Sequence, residues 1–396
     1  MVRERKIIPA EPDDEDDGNG SGNGNDNGKG NGKGNGNGNG KGKGNGNGKE
    51  DGQGKLPTPG HVSGSGIMAP GENDVVLRPK RIADMVGQQE VMDVIQIAMD
   101  AAKKRKEPLG HILFDGPPGL GKTTFATCIP REMGVKVDMT SGPVLKAPKE
   151  MIPYLTNLEH GSVLFIDEIH RLPKPVEEFL YTAMEDFRID IILGEGVNAR
   201  TLNLQLQPFT LIGATTRAGM LSAPLRDRFL IRQHLGYYSV DELIEILSRN
   251  ALKLNVSLNS DAAVEIAKRA RGTPRIANNR FLWVRDYAMS KADGRVSLDI
   301  AKRALDMMGI DEIGLDRQDR RYLETLIRVF NGGPAGVEAI AHTMSVSSDT
   351  LEDEVEPFLL RSEYVIRTQR GRCATSKAYE MLKLFNPNKD SGSQKP

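Results

Sequence analysis

The sequence has little cysteine and no long apolar stretch. Only two cysteines, Cys128 and Cys373, occur in 396 residues, and they lie in unrelated contexts. This argues against a disulfide framework or a cysteine metal cluster and fits a reducing cytosol. No apolar stretch approaches the ~20 residues that a spanning helix needs, and residues 1–6 lead into acids rather than an apolar signal core. These absences predict a cytoplasmic protein that does not enter a membrane.

The sequence also lacks an excess of either charge. Lys and Arg number 53 against 54 Asp and Glu, a formal net charge of -1, so only local clusters can favour nucleic acid. Residues 1–70 carry an acidic cluster from Asp13 to Asp17 and a Gly/Asn/Lys tract that runs to Lys55. Since this segment has almost nothing apolar to offset the entropy of ordering, it is predicted to be a disordered tail. A solvated tail is favoured over one whose spaced lysines tether DNA.

A glycine-rich stretch follows the first apolar run of the remaining chain. Residues 116–123 read Gly-Pro-Pro-Gly-Leu-Gly-Lys-Thr, after the run Ile112 to Phe114 and before a helix-compatible segment. Such glycines let backbone N–H groups and the helix N-terminus point at phosphate oxygens. Lys122 can then reach the β and γ phosphates, and the Thr123 hydroxyl can ligate Mg²⁺. The alternative, a plain turn between strand and helix, does not require the full pattern.

A second motif fixes the chemistry of that loop. The apolar run Val163 to Ile166 is typical of a strand buried on both faces, and it ends in Asp167 and Glu168. Carboxylates at a strand's carboxyl end lie where open α/β sheets bind ligands. We therefore expect Asp167 to hold Mg²⁺ and Glu168 to polarise the attacking water. The alternative is a pair of solvated acids at a strand end.

The periodicity of apolar residues divides the rest of the chain. Alternating apolar runs and helix-compatible segments over 71–236 indicate a doubly wound parallel α/β sheet. A β-hairpin is predicted over 188–206, around Gly194-Glu195-Gly196. Exposed apolar residues there would indicate a protein partner, and buried ones would be core. Residues 237–311 show only helical spacing and are predicted to form a small helical domain.

The C-terminal part predicts a winged helix over 312–385, followed by a flexible tail at 386–396. Three short helix-like segments precede two extended runs around Gln369-Arg370-Gly371. Arg367, Arg370 and Arg372 cluster at this hairpin turn and suit a DNA phosphate backbone. The alternative is a solvated charged face.

These motifs align along the chain with those of a known family. Besides 116–123, they comprise the segments 164–172, 213–219, 224–229 and 272–278. Over about residues 75–385 the chain closely resembles the RuvB family of bacterial Holliday-junction branch-migration motors, which belong to the AAA+ class. The resemblance implies an AAA+ ATPase domain, a helical lid and a winged helix, assembled as a hexameric ring around duplex DNA at four-way junctions. It also implies loading by RuvA, docked on the hairpin 188–206, and RuvC resolvase as a further partner.

The resemblance also implies roles for single residues. Thr216 matches the position that senses the γ-phosphate, and Arg275 matches the lid arginine that reports nucleotide state. Arg228 matches the arginine finger offered to the neighbouring subunit's ATP, with Arg226 as a second candidate; alternatively, Arg228 pairs with a structural carboxylate. The catalytic residues are then Lys122, Glu168, Thr216, Arg228 and Arg275. The nucleotide-binding residues are Leu77, Arg78, Gly119, Gly121, Lys122, Thr123, Thr124, Asp167, Tyr238 and Arg275. Thr123 and Asp167 would also hold Mg²⁺.

Three places depart from the family pattern. Pro130 lies in the helix behind the phosphate loop and is predicted to kink or end it. Leu230 replaces the usual glycine after Phe229, which bears on the approach of the finger. The segment 279–283 replaces a stretch rich in arginine and leucine and is predicted to alter lid packing or a subunit contact.

Taken together, the residues and the resemblance predict an ATP-driven, Mg²⁺-dependent DNA translocase that promotes Holliday-junction branch migration in recombination and repair. The alternative is a non-translocating ATP switch, a clamp-loader-like module that shares the ATPase core. A protein-remodelling ATPase would need an aromatic pore loop, and none is clear in the sequence.

Overall fold

The computed structural model describes residues 76–193 and 200–384. The predicted tails at 1–70 and 386–396 and the turn Gly194-Glu195-Gly196 lie outside the described residues. Within the described ranges no helix is both long and apolar enough to cross a membrane.

A five-stranded parallel sheet organises the first part of the chain, in the spatial order β2-β3-β6-β1-β7. The three central strands are buried along almost their whole length, as expected of sheets covered on both faces. The carboxyl ends of β1, β3 and β6 meet at one edge, so the loops that follow them lie together. The strands are β1 (Ile112–Asp115), β2 (Val137–Ser141), β3 (Val163–Asp167), β6 (Thr210–Thr215) and β7 (Ile231–His234).

Helices cover both faces of this sheet. Leu113 and Ile166 pack into one hydrophobic core, whereas their neighbours Phe114 and Phe165 pack into the other. This alternation confirms the predicted doubly wound α/β architecture. The helices are α1 (Gln89–Arg105), α2 (Lys122–Met133), α3 (Pro148–Thr156), α4 (Lys174–Glu185) and α5 (Ala223–Asp227).

Pro130 does not end α2, because the helix continues to Met133 and terminates on Gly134 in the left-handed region. Of the two predicted effects of Pro130, a kink or an end of the helix, the end does not occur. Proline removes one backbone N–H. So close to the helix end, that loss costs a single hydrogen bond of the last turn.

The predicted hairpin is present, formed by β4 (Arg188–Leu193) and β5 (Arg200–Gln205) as an antiparallel pair outside the main sheet. Ile189 is fully buried in the core below, whereas Leu202 is 48% exposed. The hairpin is therefore anchored at its base and presents an apolar side chain to solvent.

A four-helix unit follows the sheet. Ser239 and Glu242 form a capping box that begins the first helix, and Gly272 at φ 67° precedes Pro274 at the start of the third. In the segment 279–283, which departs from the family pattern, Phe281 is fully buried and Trp283 Nε1 donates to the Ala304 carbonyl at 2.9 Å. These aromatic residues thus belong to the lid core. The helices are α6 (Val240–Lys253), α7 (Ser260–Arg269), α8 (Pro274–Lys291) and α9 (Leu298–Met307).

The C-terminal part has its own core and a two-stranded wing, which confirms the predicted winged helix. Arg367 of β8 stands opposite Arg372 of β9. The middle turn of its third helical segment, Leu351–Val355, is a π-helix. We call residues 348–361 the acidic helix, after the carboxylates of Asp349, Glu352, Asp353 and Glu356. The elements are α10 (Arg317–Arg328), α11 (Val337–Met344), α12 (Ser348–Thr350), the π turn, α13 (Glu356–Arg361), β8 (Val365–Thr368), β9 (Gly371–Ala374) and α14 (Ser376–Met381).

Candidate functional site

A cleft of about 400 Å³ opens between the carboxyl edge of the sheet and the helical lid. Its size falls within the range of roughly 300 to 1,000 Å³ that is usual for small-molecule sites. The loop after β1, the end of β3 and the lid helices α6 and α8 all contribute to its walls. The residues predicted from the sequence that line it are Leu77, Arg78, Gly119, Gly121, Lys122, Thr123, Thr124, Asp167, Glu168, Tyr238 and Arg275.

The loop after β1 requires glycine at two of its positions for steric reasons. Gly116 has φ 136°, and a Cβ there would lie 2.5 Å from the Leu235 carbonyl oxygen. Gly119 has φ 79°, and a Cβ there would lie 2.8 Å from Thr273 Cγ2 and 2.9 Å from Arg275 Cβ. The backbone therefore approaches both the edge strand and the lid closely. Such a loop leaves its N–H groups free to face an anion at the start of α2.

Lys122, the first residue of α2, folds back over this loop. Its Nζ donates to the carbonyl oxygens of Gly116 at 2.7 Å and Pro117 at 2.9 Å, and the residue is only 7% exposed. Burial lowers the pKa of Lys122, while the carboxylates of Asp167 and Glu168 oppose that shift. A buried cation beside two carboxylates and a glycine loop is suited to hold a phosphate group.

The two predicted carboxylates lie at the end of β3. Asp167 is its last residue, and its Oδ1 accepts from the Glu168 N–H at 2.9 Å. Glu168 has φ 47° and ψ 44°, a left-handed conformation that is uncommon for residues other than glycine and concentrates at functional sites. Burial and the charge of Asp167 raise the pKa of Glu168, with Lys122 opposing them. A carboxylate of raised pKa is a stronger base, which suits the activation of water.

His170 and Thr215 form a polar cluster with Glu168 that the sequence did not reveal. Thr215 Oγ1 accepts from the Arg217 N–H at 3.0 Å and lies 2.9 Å from His170 Nδ1, so its proton is available to that nitrogen. His170 Nε2 lies 3.4 Å from Glu168 Oε2, so the tautomer with its proton on Nε2 would donate to that carboxylate. Burial lowers the pKa of His170, which favours this neutral form. The predicted sensor Thr216 completes the cluster, with Oγ1 3.5 Å from the same oxygen of Glu168.

The two other predicted arginines lie in different places. Arg275 lines the cleft from the lid. Arg228 lies outside it, where its Nη2 donates to Glu185 Oε2 at 2.7 Å and its guanidinium stands 4.6 Å from the Tyr181 ring centroid. Leu230, close by, is 80% exposed. Arg228 therefore has the structural carboxylate named as the alternative and does not reach this chain's own cleft.

The three wing arginines differ in exposure. The side chain of Arg372 is 14% exposed and donates to Glu352 Oε1 at 2.8 Å and Glu356 Oε1 at 2.9 Å. Arg367 donates from Nε to Glu356 Oε2 at 3.0 Å but stays half exposed. Arg370 lies at the exposed turn. The DNA contact predicted for the three suits Arg370 and Arg367 best, because both are exposed, whereas the side chain of Arg372 is largely buried against the acidic helix.

Part of the cleft was not predicted from the sequence. Lys253 Nζ donates to the Leu77 carbonyl at 3.0 Å, and Asn250 Nδ2 donates to Asn278 Oδ1 at 2.9 Å. These side chains come from the lid, and only the tertiary fold brings them to the phosphate loop. The further lining residues are Pro79, Asp84, Met85, Val86, Pro118, Leu120, Ile246, Arg249 and Pro274.

The parallel sheet, the glycine loop with its buried lysine, the strand-end carboxylates and the helical lid define a P-loop ATPase of the AAA type, here joined to a winged helix. Comparison with known families narrows this class. Residues 77–235 match the family model of the RuvB Holliday junction DNA helicase P-loop domain, residues 238–311 the RuvB AAA lid domain, and residues 312–383 the RuvB C-terminal winged helix domain. The chain belongs to the RuvB family.

Similar proteins support this assignment over most of the chain. The Holliday junction branch migration complex subunit RuvB of Rhodopirellula baltica is 68% identical over 316 residues, which cover 80% of this chain and 86% of that protein. The solved structure of the Thermotoga maritima RuvB Holliday junction branch migration motor is 47% identical, with a TM-score of 0.72 over 79% of this chain and 100% of that one. A mutant of the same Thermotoga maritima protein gives a TM-score of 0.73 at 47% identity, over 78% and 99% of the two chains.

Proposed function

We propose that this chain is an ATP-driven DNA motor that promotes branch migration of Holliday junctions. The proposal rests on one observation: the phosphate loop, the two strand-end carboxylates and the lid arginine line the same cleft. The branch-migration names of its RuvB relatives support the DNA substrate. The winged helix on the same chain supplies an element that fits duplex DNA.

ATP with Mg²⁺ fits the described residues. The loop and Lys122 would bind the phosphates, while Leu77, Arg78 and Tyr238 would hold the adenosine end. Thr123 and Asp167 would hold Mg²⁺. Mg²⁺ is usually bound by one or two carboxylates together with substrate phosphates and water, which suits this pair of side chains beside the phosphate loop. When bound, Mg²⁺ would neutralise part of the phosphate charge.

The residues of this chain divide the remaining work of hydrolysis. Glu168 would take a proton from the attacking water, since its raised pKa makes it a stronger base. His170 and Thr216 would hold the Glu168 carboxylate, as their contacts with Oε2 indicate. Arg275 would report nucleotide state to the lid, and Arg228 would act in the ATP site of the neighbouring subunit.

We propose the partners on the same footing. The chain would form a hexameric ring around duplex DNA. Arg228 lies outside the cleft of its own chain, so it can act as an arginine finger only in the ATP site of a neighbouring subunit. The hairpin over 188–206, with Leu202 48% exposed, would dock on RuvA. Arg367 and Arg370 would contact the DNA backbone, and RuvC would act on the same junction.

Steady-state kinetics would distinguish a motor from the alternative ATP switch. A motor is expected to hydrolyse many ATP molecules per subunit on circular duplex DNA at constant rate, since each cycle returns the ring to its starting state. ATPase assays over many turnovers, with ring size measured by native mass spectrometry, would test this. A single burst of one ATP per subunit, followed by arrest on the same DNA, would favour the switch.

A further inference from the structure

Arg217 directly follows the predicted sensor Thr216 and reaches across to the winged helix. Its Nε and Nη2 both donate to Asp353 Oδ1, at 3.1 and 2.8 Å. Its Nη2 also lies 3.2 Å from Asp349 Oδ1 and 3.5 Å from Glu352 Oε2. One guanidinium of the ATPase domain therefore meets three carboxylates of the acidic helix. These carboxylates raise the pKa of Arg217, so it stays charged.

The acidic helix carries this contact on to the wing. Glu352 pairs with Arg217 through Oε2 and accepts from Arg372 of β9 through Oε1 at 2.8 Å. One turn later the fully buried Glu356 accepts from Arg372 and from Arg367 of β8. Both wing strands are thus tied to the same helix that Arg217 touches. The π turn Leu351–Val355 lies in the middle of this contact, and π turns inside helices are frequent at functional sites.

On its other side, Arg217 belongs to the Glu168 cluster. Its backbone N–H donates to Thr215 Oγ1, which contacts His170, and His170 contacts Glu168. The adjacent Thr216 also lies 3.5 Å from Glu168. An unbroken series of polar contacts therefore joins the predicted base for ATP hydrolysis to the wing arginines.

Other contacts hold the winged helix to the rest of the chain, so Arg217 is not needed as an anchor. The Arg361 guanidinium stacks 3.7 Å from the Tyr237 ring centroid and donates to the Arg271 carbonyl at 2.7 Å. Arg271 in turn donates to Asp316 at 2.9 Å and pairs with the buried Asp319. The contact of Arg217 with Asp353, whose side chains are 24% and 29% exposed, is therefore one of several contacts between the winged helix and the rest of the chain.

The contact around Arg217 also has room to change. A cleft of about 500 Å³ separates the two domains here, with Thr216 and Arg217 on one side and Glu352, Asp353 and Arg367 on the other. The interface at this point is open and mixes charged side chains with apolar ones such as Met220 and Leu360. It can therefore rearrange without opening a packed apolar core.

We propose that Arg217 is a positioning residue for ATP hydrolysis, which transmits the position of the DNA-bound wing to Thr216 and Glu168. This inference rests on the proposed function and adds to it the route by which DNA sets the hydrolysis rate. DNA on the wing would shift the acidic helix through Arg367 and Arg372. Arg217 would then move the adjacent Thr215 and Thr216 with that helix.

The test compares ATPase kinetics of the full chain with and without saturating duplex DNA. Arg217→Ala should reduce the ratio of kcat with DNA to kcat without it by about two- to thirty-fold, the size of effect reported for residues that couple two sites. The KM for ATP, DNA affinity by anisotropy and the melting temperature should stay close to wild type. Arg217→Lys should restore part of the ratio, because lysine keeps the charge but cannot offer two nitrogens to Asp353.

Three further variants extend the test. Asp353→Asn, in the other domain, should reproduce the loss, and the Arg217→Ala/Asp353→Asn double variant should lose no more than either single variant. Glu354→Gln is the matched control for Asp353→Asn. Glu354 is an exposed carboxylate of the same π turn but is not one of the three that meet Arg217, so its removal should leave the ratio unchanged.

Two results would overturn the inference alone: an Arg217→Ala protein that responds to DNA as wild type does, or a Glu354→Gln protein with the same loss as Asp353→Asn. A lower melting temperature or weaker DNA binding with an unchanged ratio would also overturn it, since Arg217 would then be only structural. Wild-type protein whose hydrolysis is absent or indifferent to DNA would overturn the proposed function together with the inference.

Discussion

Glu168→Gln protein is expected to bind ATP as tightly as wild type and to hydrolyse it about 10²- to 10⁴-fold more slowly, the usual contribution of a positioned general base. The amide keeps the size of the side chain and can still contact His170 and Thr216, so the cleft should keep its shape. It cannot accept a proton from water at neutral pH. Nucleotide affinity by titration and steady-state ATPase rates would measure the two effects separately.

The pH dependence of the wild-type rate gives a second test of Glu168 as the general base. Glu168 must be ionised to act as a base, and its pKa is raised by burial and by Asp167. On acidification, kcat/KM, which reports the pKa values of the free enzyme, should therefore fall at a higher pH than the ordinary pKa of a glutamate would give, and this acid limb should vanish in Glu168→Gln. Glu178→Gln, an exposed carboxylate on α4, is the control and should behave as wild type. Near-normal turnover of Glu168→Gln would remove Glu168 from the mechanism.

Arg228→Ala protein is expected to bind nucleotide normally yet to lose hydrolysis by about 10³- to 10⁵-fold, the range measured for arginine fingers supplied in trans. Binding should survive because Lys122, Thr123 and Asp167 line the cleft of the same chain, whereas Arg228 lies outside it. Phosphoryl transfer depends on neutralising charge in the transition state, so the loss should fall on kcat.

Arg228 also pairs with Glu185, and a matched variant separates the two roles. Glu185→Gln removes the carboxylate but leaves the guanidinium, which also donates to the Pro224 carbonyl at 2.8 Å. If Arg228 acts as a finger, Glu185→Gln should keep most of the ATPase activity. If Arg228 serves only to pair with Glu185, the two variants should be impaired alike.

Mixing two inactive proteins tests the trans role directly. Lys122→Ala should bind nucleotide poorly, because the phosphates lose their buried cation, but it keeps an intact Arg228. In mixed rings some interfaces would join an intact phosphate loop to an intact finger, so ATPase activity should recover when one variant is titrated into the other at fixed total protein with DNA and Mg²⁺. Absence of recovery, with mixed rings demonstrated by mass, would count against Arg228 and favour Arg226 or the switch.

The sequence predicted the central part of the fold because the central strands carry continuous apolar runs. It did not predict β2 and β7, which are the edge strands of the sheet. Their residues are only partly buried, and in β7 half-buried and exposed positions alternate. An edge strand has a neighbouring strand on one side only, and it therefore does not need a continuous apolar run. Its sequence pattern is then hard to distinguish from that of a loop.

The candidate site, like the fold, was predicted only in part. Local motifs were enough for the phosphate loop and the strand-end acids, since those residues are close together in the chain. The contacts of Glu168 with Thr216, and of Arg217 with Asp353, join residues far apart in sequence, and no local pattern encodes them. The dual pairing of Arg372 was hidden for the same reason. An arginine in a basic hairpin looks the same in sequence whether it faces DNA or a buried glutamate.

Branch migration of a synthetic four-way junction with labelled arms tests the proposed motor function most directly. Wild-type protein with RuvA, ATP and Mg²⁺ should convert the junction into separated duplexes, at a rate that follows ATP hydrolysis. Glu168→Gln protein, which should still bind ATP and DNA, should leave the junction intact under the same conditions. Wild-type protein that hydrolyses ATP continuously on the junction with RuvA present, yet leaves its arms unseparated, would contradict the motor.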